Sequence, residues 1–109
     1  MRLMTLTVLV VIAMMIPSLA KANTNHTSNN KEAICKVFKS YCSQALRVTW
    51  CESRWNTWAQ NGQYLGLFQM GSYARARYGH DKTALGQAKA AYRYFVASGR
   101  DWSPWSCKP

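Results

Sequence analysis

Groups able to do acid–base chemistry are scarce in this chain. The carboxylates are Glu32, Glu52, Asp81 and Asp101, and the imidazoles are His26 and His80. Glu52 is the one set in an aromatic stretch, Trp50-Cys51-Glu52-Ser53-Arg54-Trp55, with Trp58 close behind. Desolvation by aromatic rings raises a carboxyl pKa and keeps a proton on hand near neutral pH. A carboxylic acid in such a cleft can protonate a leaving oxygen, including a glycosidic one. The plainer reading of Glu52 is a surface carboxylate paired with Arg47 or Arg54. A serine nucleophile has little support, because His80 follows the helix-stopping Gly79 and has no clear acidic partner to orient it. His26 lies in a polar tract and reads as a solvated spectator. Asp81 and Asp101 fall at cap or loop positions.

A second polar group, Gln69, ends the apolar run Gly66-Leu67-Phe68-Gln69. An amide there is either hydrogen-bonded in the core or turned to a ligand. Gly66 would let another backbone or a sugar ring approach closely. A core hairpin explains the same run.

Helices must position these groups. Ala33, Ile34, Val37, Phe38 and Tyr41 recur at helical spacing, which predicts a helix over about Lys31–Tyr41. Ser43 is a suitable cap for a second helix over Gln44–Trp55, with Ala45, Val48, Cys51 and Trp55 as its apolar stripe, and Leu46 and Trp50 beside it. Asn61-Gly62 marks a tight turn, and Gln63–Met70 is short enough to be a strand or a hairpin. Ser72 would cap a helix running to Tyr78, with Gly79 as its stop. Asp81 or Thr83 would cap a last helix that buries Leu85, Ala88, Tyr92, Phe95 and Val96. The fold class expected is mainly α (α+β): one small domain with a short hairpin as an option.

The chain has 109 residues, 14 Lys+Arg against 4 Asp+Glu, and a formal net charge of +10. That length allows one small domain and excludes folds that need roughly 200 residues or more. Met1-Arg2, the apolar run Leu3–Ile16, Pro17 and the small residues at Ala20 and Ala22 make a secretory signal peptide over 1–22, cut after Ala20 or Ala22. The apolar run is shorter than the roughly 17–25 residues of a membrane span. Loss of Arg2 and Lys21 leaves 12 basic and 4 acidic side chains, a net +8. Residues 23–30 read as a disordered leader with an Asn25-His26-Thr27 acceptor pattern, and 31–109 as the folded domain. In an oxidising compartment Cys35, Cys42, Cys51 and Cys107 would form two disulfides, with three pairings open. Cys35 and Cys42 would lie about 10.5 Å apart on one straight helix. A bridge needs roughly 4.4–6.8 Å, so pairing them requires a turn near Ser40–Cys42. No Cys-x2-Cys pair exists, and neither a metal nor another cofactor is expected.

Cys51-Glu52-Ser53, Asn61, Gly66-Leu67-Phe68-Gln69, Ala90-Ala91-Tyr92, Gly99 and Trp105-Ser106-Cys107 together make a pattern. It resembles the lysozyme-like soluble lytic transglycosylase family, in the small secreted branch similar to resuscitation-promoting factors. The likeness covers about Ala45–Cys107. It implies a lysozyme-like domain, with Glu52 as the catalytic acid/base. Gln69, Gly66, Asn61 and Tyr64 would be substrate-binding. It also implies the pairing Cys51–Cys107, which leaves Cys35–Cys42. Larger members carry Ala-Tyr-Asn in a late helix. Here the string is Ala91-Tyr92-Arg93, so Tyr92 reads as core.

The activity implied is cleavage of the β-1,4 bond between N-acetylmuramic acid and N-acetylglucosamine, giving 1,6-anhydro ends. The partner would be peptidoglycan glycan strands, met by a secreted monomer in the periplasm, wall or medium. The net charge suits an anionic wall, with Arg75, Arg77, Arg93 and Arg100 as surface candidates. Export and disulfides argue against nucleic acid, and no membrane partner is expected after signal cleavage. Two other readings stay open: a lysozyme-type hydrolase recruiting Asp81 or Asp101, and a cationic wall-binding or antimicrobial protein without catalysis.

Overall fold

A computed structural model describes residues 26–109. The expected signal peptide over 1–22, residues 23–25 and hence the Asn25 of the acceptor pattern lie outside the described residues. The chain forms helix α1 (26–38), a 3-10 turn (Lys39–Tyr41), helix α2 (Cys42–Ser53), strands β1 (Gln60–Asn61) and β2 (Tyr64–Leu65), and helices α3 (Ser72–Tyr78) and α4 (Ala84–Ala97). The result is a mainly α domain with a two-stranded antiparallel hairpin and two disulfides. No described helix is long and apolar enough to cross a membrane.

The first correction concerns the leader. Residues 26–30 are already helical, and Asn30 is buried. Asn30, Ile34 and Phe38 stand four apart and so share one face of α1. Asn30 can occupy that face because its Nδ2 donates to the Trp55 carbonyl at 2.9 Å. Phe38 is the hub of the core. Its ring stacks on Phe68 at 5.3 Å and on Trp102 at 5.5 Å, and meets Tyr92 edge-on at 5.2 Å. Such pairs add about 0.5–1.5 kcal/mol each beyond burial.

α1 ends where Lys39 takes φ +51°, and the 3-10 turn brings Cys35 to Cys42 with Cα atoms 4.5 Å apart. That is the reversal the spacing demanded. α2 starts at Cys42, so Ser43 lies inside its first turn and makes no cap bond. Its buried face is Ala45, Val48, Thr49 and Ser53. The two hydroxyls are accommodated by bonds back along the helix, Thr49 to the Ala45 carbonyl at 2.7 Å and Ser53 to the Thr49 carbonyl at 3.1 Å. Cys51 and Trp50, expected within or beside the stripe, are exposed. Arg54 and Trp55 both have positive φ and end α2 two residues early.

The hairpin pairs Gln60 with Leu65 and Asn61 with Tyr64, around Gly62 at φ +59°. A second tight loop follows at once, closed by mutual backbone bonds of 3.1 Å between Leu65 and Met70. α3 is preceded by Gly71 in the cap position, so Ser72 is its first residue and not its cap. Gly79 closes α3 in the left-handed region, as expected. Thr83 caps α4 by accepting the Gly86 N–H at 2.9 Å. The buried face of α4 is Gln87, Ala88, Ala90, Ala91 and Phe95, whereas Val96 is exposed and Leu85 half-buried. The tail folds back over the core and buries Trp102 and Trp105.

Candidate functional site

An open cleft of about 370 Å³ crosses one face of the domain. Glu52 reaches it from the last turn of α2, and Asn61 and Tyr64 from the hairpin. Gln69 lines it from the loop after β2. Four of the five residues picked out in the sequence as catalytic or substrate-binding therefore meet in one cleft, although 17 positions separate Glu52 from Gln69. The fifth, Gly66, is a correction. It is buried and does not line the cleft. Its φ is +82°, and a Cβ there would lie 2.5 Å from the Gln87 amide oxygen. The glycine serves the close approach of α4, not of a sugar.

Glu52 is half-buried. One carboxylate oxygen accepts the Cys107 backbone N–H at 3.2 Å, leaving the other free to face the cleft. Cys107 is itself bonded to Cys51, the residue before Glu52, with Cα atoms 6.0 Å apart. The aromatic neighbours differ from those expected. Trp50, Trp55 and Trp58 do not line the cleft. Trp50 and Trp55 pack on each other in a tilted pair at 4.7 Å, with Arg54 over the Trp50 ring and Lys31 over the Trp55 ring. Trp58 is 69% exposed. The rings that border Glu52's cleft are Tyr64, Tyr73, Tyr94 and Trp105.

Gln69 has a positive φ of +46° and spends both amide hydrogens inside the loop, on the Ala59 and Gly66 carbonyls at 3.1 Å each. What it offers a ligand is its acceptor oxygen. Behind this loop, Gln87 is buried and accepts the Leu67 N–H at 2.8 Å while donating to the Thr57 and Asp81 carbonyls. Arg75 secures the front by donating to the Gln63 and Met70 carbonyls. Arg93 similarly donates to the Tyr78 carbonyl at 2.8 Å. Arg75 and Arg93 are thus fastened to backbone carbonyls; Arg75 is half-buried, while Arg93, like Arg77 and Arg100, is exposed.

The sequence reading missed the part of the lining made by Tyr94 of α4 and Pro104, Trp105 and Ser106 of the tail. Trp105 is anchored by its Nε1 on the Phe68 carbonyl at 3.0 Å and packs on Tyr94 at 5.1 Å. A signal was present in the tail, where two tryptophans precede a cysteine in nine residues. Tyr92 is core, edge-on to Phe38. His80 sits away from the cleft lining, beneath Gly66, with its Nε2 buried and unpartnered among the described residues. Burial, and then the Arg75 charge, push its pKa below the ordinary value, against a smaller opposing pull from Asp81. Asp81 accepts from the Thr83 hydroxyl and backbone N–H at 2.7 Å each, which holds its carboxyl below the usual range. Asp101 accepts the Ser103 N–H.

Chemically, the cleft combines one carboxyl group with amide acceptors and exposed aromatic faces, a set suited to a neutral, hydroxyl-rich ligand. No family model, curated protein or solved structure matches the chain.

Proposed function

We propose that the chain is a secreted, lysozyme-like lytic transglycosylase that cleaves peptidoglycan glycan strands with Glu52 as its single acid/base. The observation that carries this reading is that Glu52 is the one carboxylate on the cleft lining. Glycosidases with two carboxylates set them on either side of the scissile bond. Here Asp81 serves the start of α4 and Asp101 the turn at Ser103, so neither is placed to be the second.

One carboxyl group suffices for an intramolecular displacement. Glu52 gives its proton to the leaving oxygen as the bond from the muramic anomeric carbon to that oxygen breaks. The carboxylate then takes the proton of the muramic C6 hydroxyl, whose oxygen bonds to the same anomeric carbon. The acid is restored and the product is a 1,6-anhydro sugar. Tyr64 and Tyr73, 46% and 80% exposed on the lip, offer ring faces to pyranose rings.

Two measurements test this. Mass spectrometry of digested peptidoglycan should show anhydro-muropeptides, and reducing ends alone would establish the hydrolase instead. Glu52→Gln should abolish wall clearing while keeping the acceptor for the Cys107 N–H. Equal clearing by both proteins would leave a wall-binding or antimicrobial protein.

A further inference from the structure

We propose that the Cys51–Cys107 bridge, resting on the reading of Glu52 as the acid, is a positioning element of the reaction and not only a staple of the fold. Three contacts converge on it. Cys51 immediately precedes Glu52 on the last turn of α2, and Cys107 donates its backbone N–H to the Glu52 carboxylate at 3.2 Å. The bridge joins these two residues directly. The segment just before Cys107, Pro104 to Ser106, lines the same cleft as Glu52. One covalent bond therefore sets the orientation of the acid and the width of the cleft together.

The other bridge offers the natural comparison. Cys35–Cys42 ties α1 to α2 across the 3-10 turn, and neither cysteine adjoins a cleft-lining residue in the chain, whereas Cys51 precedes Glu52 and Cys107 follows Ser106. Cys51 is exposed at the surface, so a dithiol reductant can reach its bridge. Exchange with such a reagent converts the disulfide to two thiols and the dithiol to its own disulfide. The freed tail then takes both the N–H and the wall away from Glu52. Misplacement of a reacting group by about 1 Å costs on the order of 100-fold in rate.

The test is a comparison of two double variants, Cys51→Ser with Cys107→Ser and Cys35→Ser with Cys42→Ser, in turnover of soluble peptidoglycan fragments. Removing the Cys51–Cys107 bridge should lower kcat on the order of 100-fold and raise KM. Removing Cys35–Cys42 should leave KM unchanged. A lost folded fraction lowers apparent kcat without moving KM, so equal KM in both variants overturns the proposal.

A second measurement needs neither activity nor a bridge-free fold. In the oxidised wild-type protein the Cys107 amide proton should resonate downfield by NMR, and Glu52→Ala, which removes the acceptor, should move it upfield. An unmoved resonance overturns the contact. If the wild-type protein leaves peptidoglycan intact, the transglycosylase reading fails, while this resonance still reports whether the bridge positions Glu52.

Discussion

At the scale of single residues, the cleft depends on side chains that never enter it. Gly66 is the sharpest case. Alanine there must hold φ near +82° and push its methyl group against the buried Gln87 amide. A strained backbone of this kind costs about 1–3 kcal/mol, and the displaced Gln87 would strand the Leu67 N–H as well. Gly66→Ala should therefore lower the urea midpoint clearly and weaken activity through the Gln69 loop. An unchanged midpoint would show that the loop can relax.

His80 gives a pH-dependent prediction. Its folded pKa lies below the ordinary 6.5, so the unfolded chain binds the proton first. Stability is full above pH 6.5, falls as the pH drops from 6.5 to the lowered folded value, and stays reduced below it. Asp81, whose pKa is lowered from 3.8, withdraws its own contribution only at still lower pH. Chemical denaturation at pH 7.5 and 5.5 should show the loss in wild type and much less of it in His80→Gln.

The residues legible in the sequence were those whose chemistry is local. Glu52 and Gln69 announce themselves as polar groups in apolar company. Thr49, Ser53 and Gln87 do not, because their burial is made tolerable by carbonyls and an amide that only the folded chain supplies. Gly66 was legible as a place of close approach, but not what approaches.

At the scale of elements, helix existence was legible and helix ends were less so. Among the described helices, periodicity found α1, α2 and α4 by their apolar faces, whereas α3, which buries only Ala74, was read from its flanking Ser72 and Gly79. The ends were set by tertiary contacts. Asn30 extends α1 into a polar tract by bonding to Trp55, and two consecutive positive-φ residues halt α2 where its pattern would continue. The α4 cap was legible, since Thr83 needs only the Gly86 N–H three residues on. Thr83→Ala should cost about 1 kcal/mol. It also removes the hydroxyl donor from Asp81. The check is the thermal midpoint against Lys82→Ala, an exposed neighbour expected to be nearly neutral.

For the whole molecule, two disulfides supplement a small core. In the chain-entropy account, closing the 56-residue separation of Cys51–Cys107 is worth about 4 kcal/mol. The 7-residue separation of Cys35–Cys42 is worth about 2 kcal/mol. Equilibrium unfolding of the two double-serine variants should rank them in that order, and the opposite ranking would mean that native-state packing, not loop length, governs the outcome. Much of the molecular plan was open to sequence reasoning: one mainly α domain, an optional hairpin and four cysteines joined in two disulfides. The tail as a wall of the cleft was not, since a segment without periodicity gives no direction in which to fold back.

The paired tryptophans give the molecule a built-in optical signature. Trp102 and Trp105 lie 5.1 Å apart on the tail, and Trp50 and Trp55, outside the cleft lining, lie 4.7 Å apart. Indoles this close couple their electronic transitions, and the sign and size of the resulting circular-dichroism bands follow their mutual angle. Both tail rings are tied to the body of the domain, Trp102 by its Nε1–H on the Gln44 amide oxygen at 2.8 Å and Trp105 by its Nε1–H on the Phe68 carbonyl at 3.0 Å, so undocking residues 101–109 releases their mutual angle. Its band thus reports, without label or substrate, whether the wall beside Glu52 is in place.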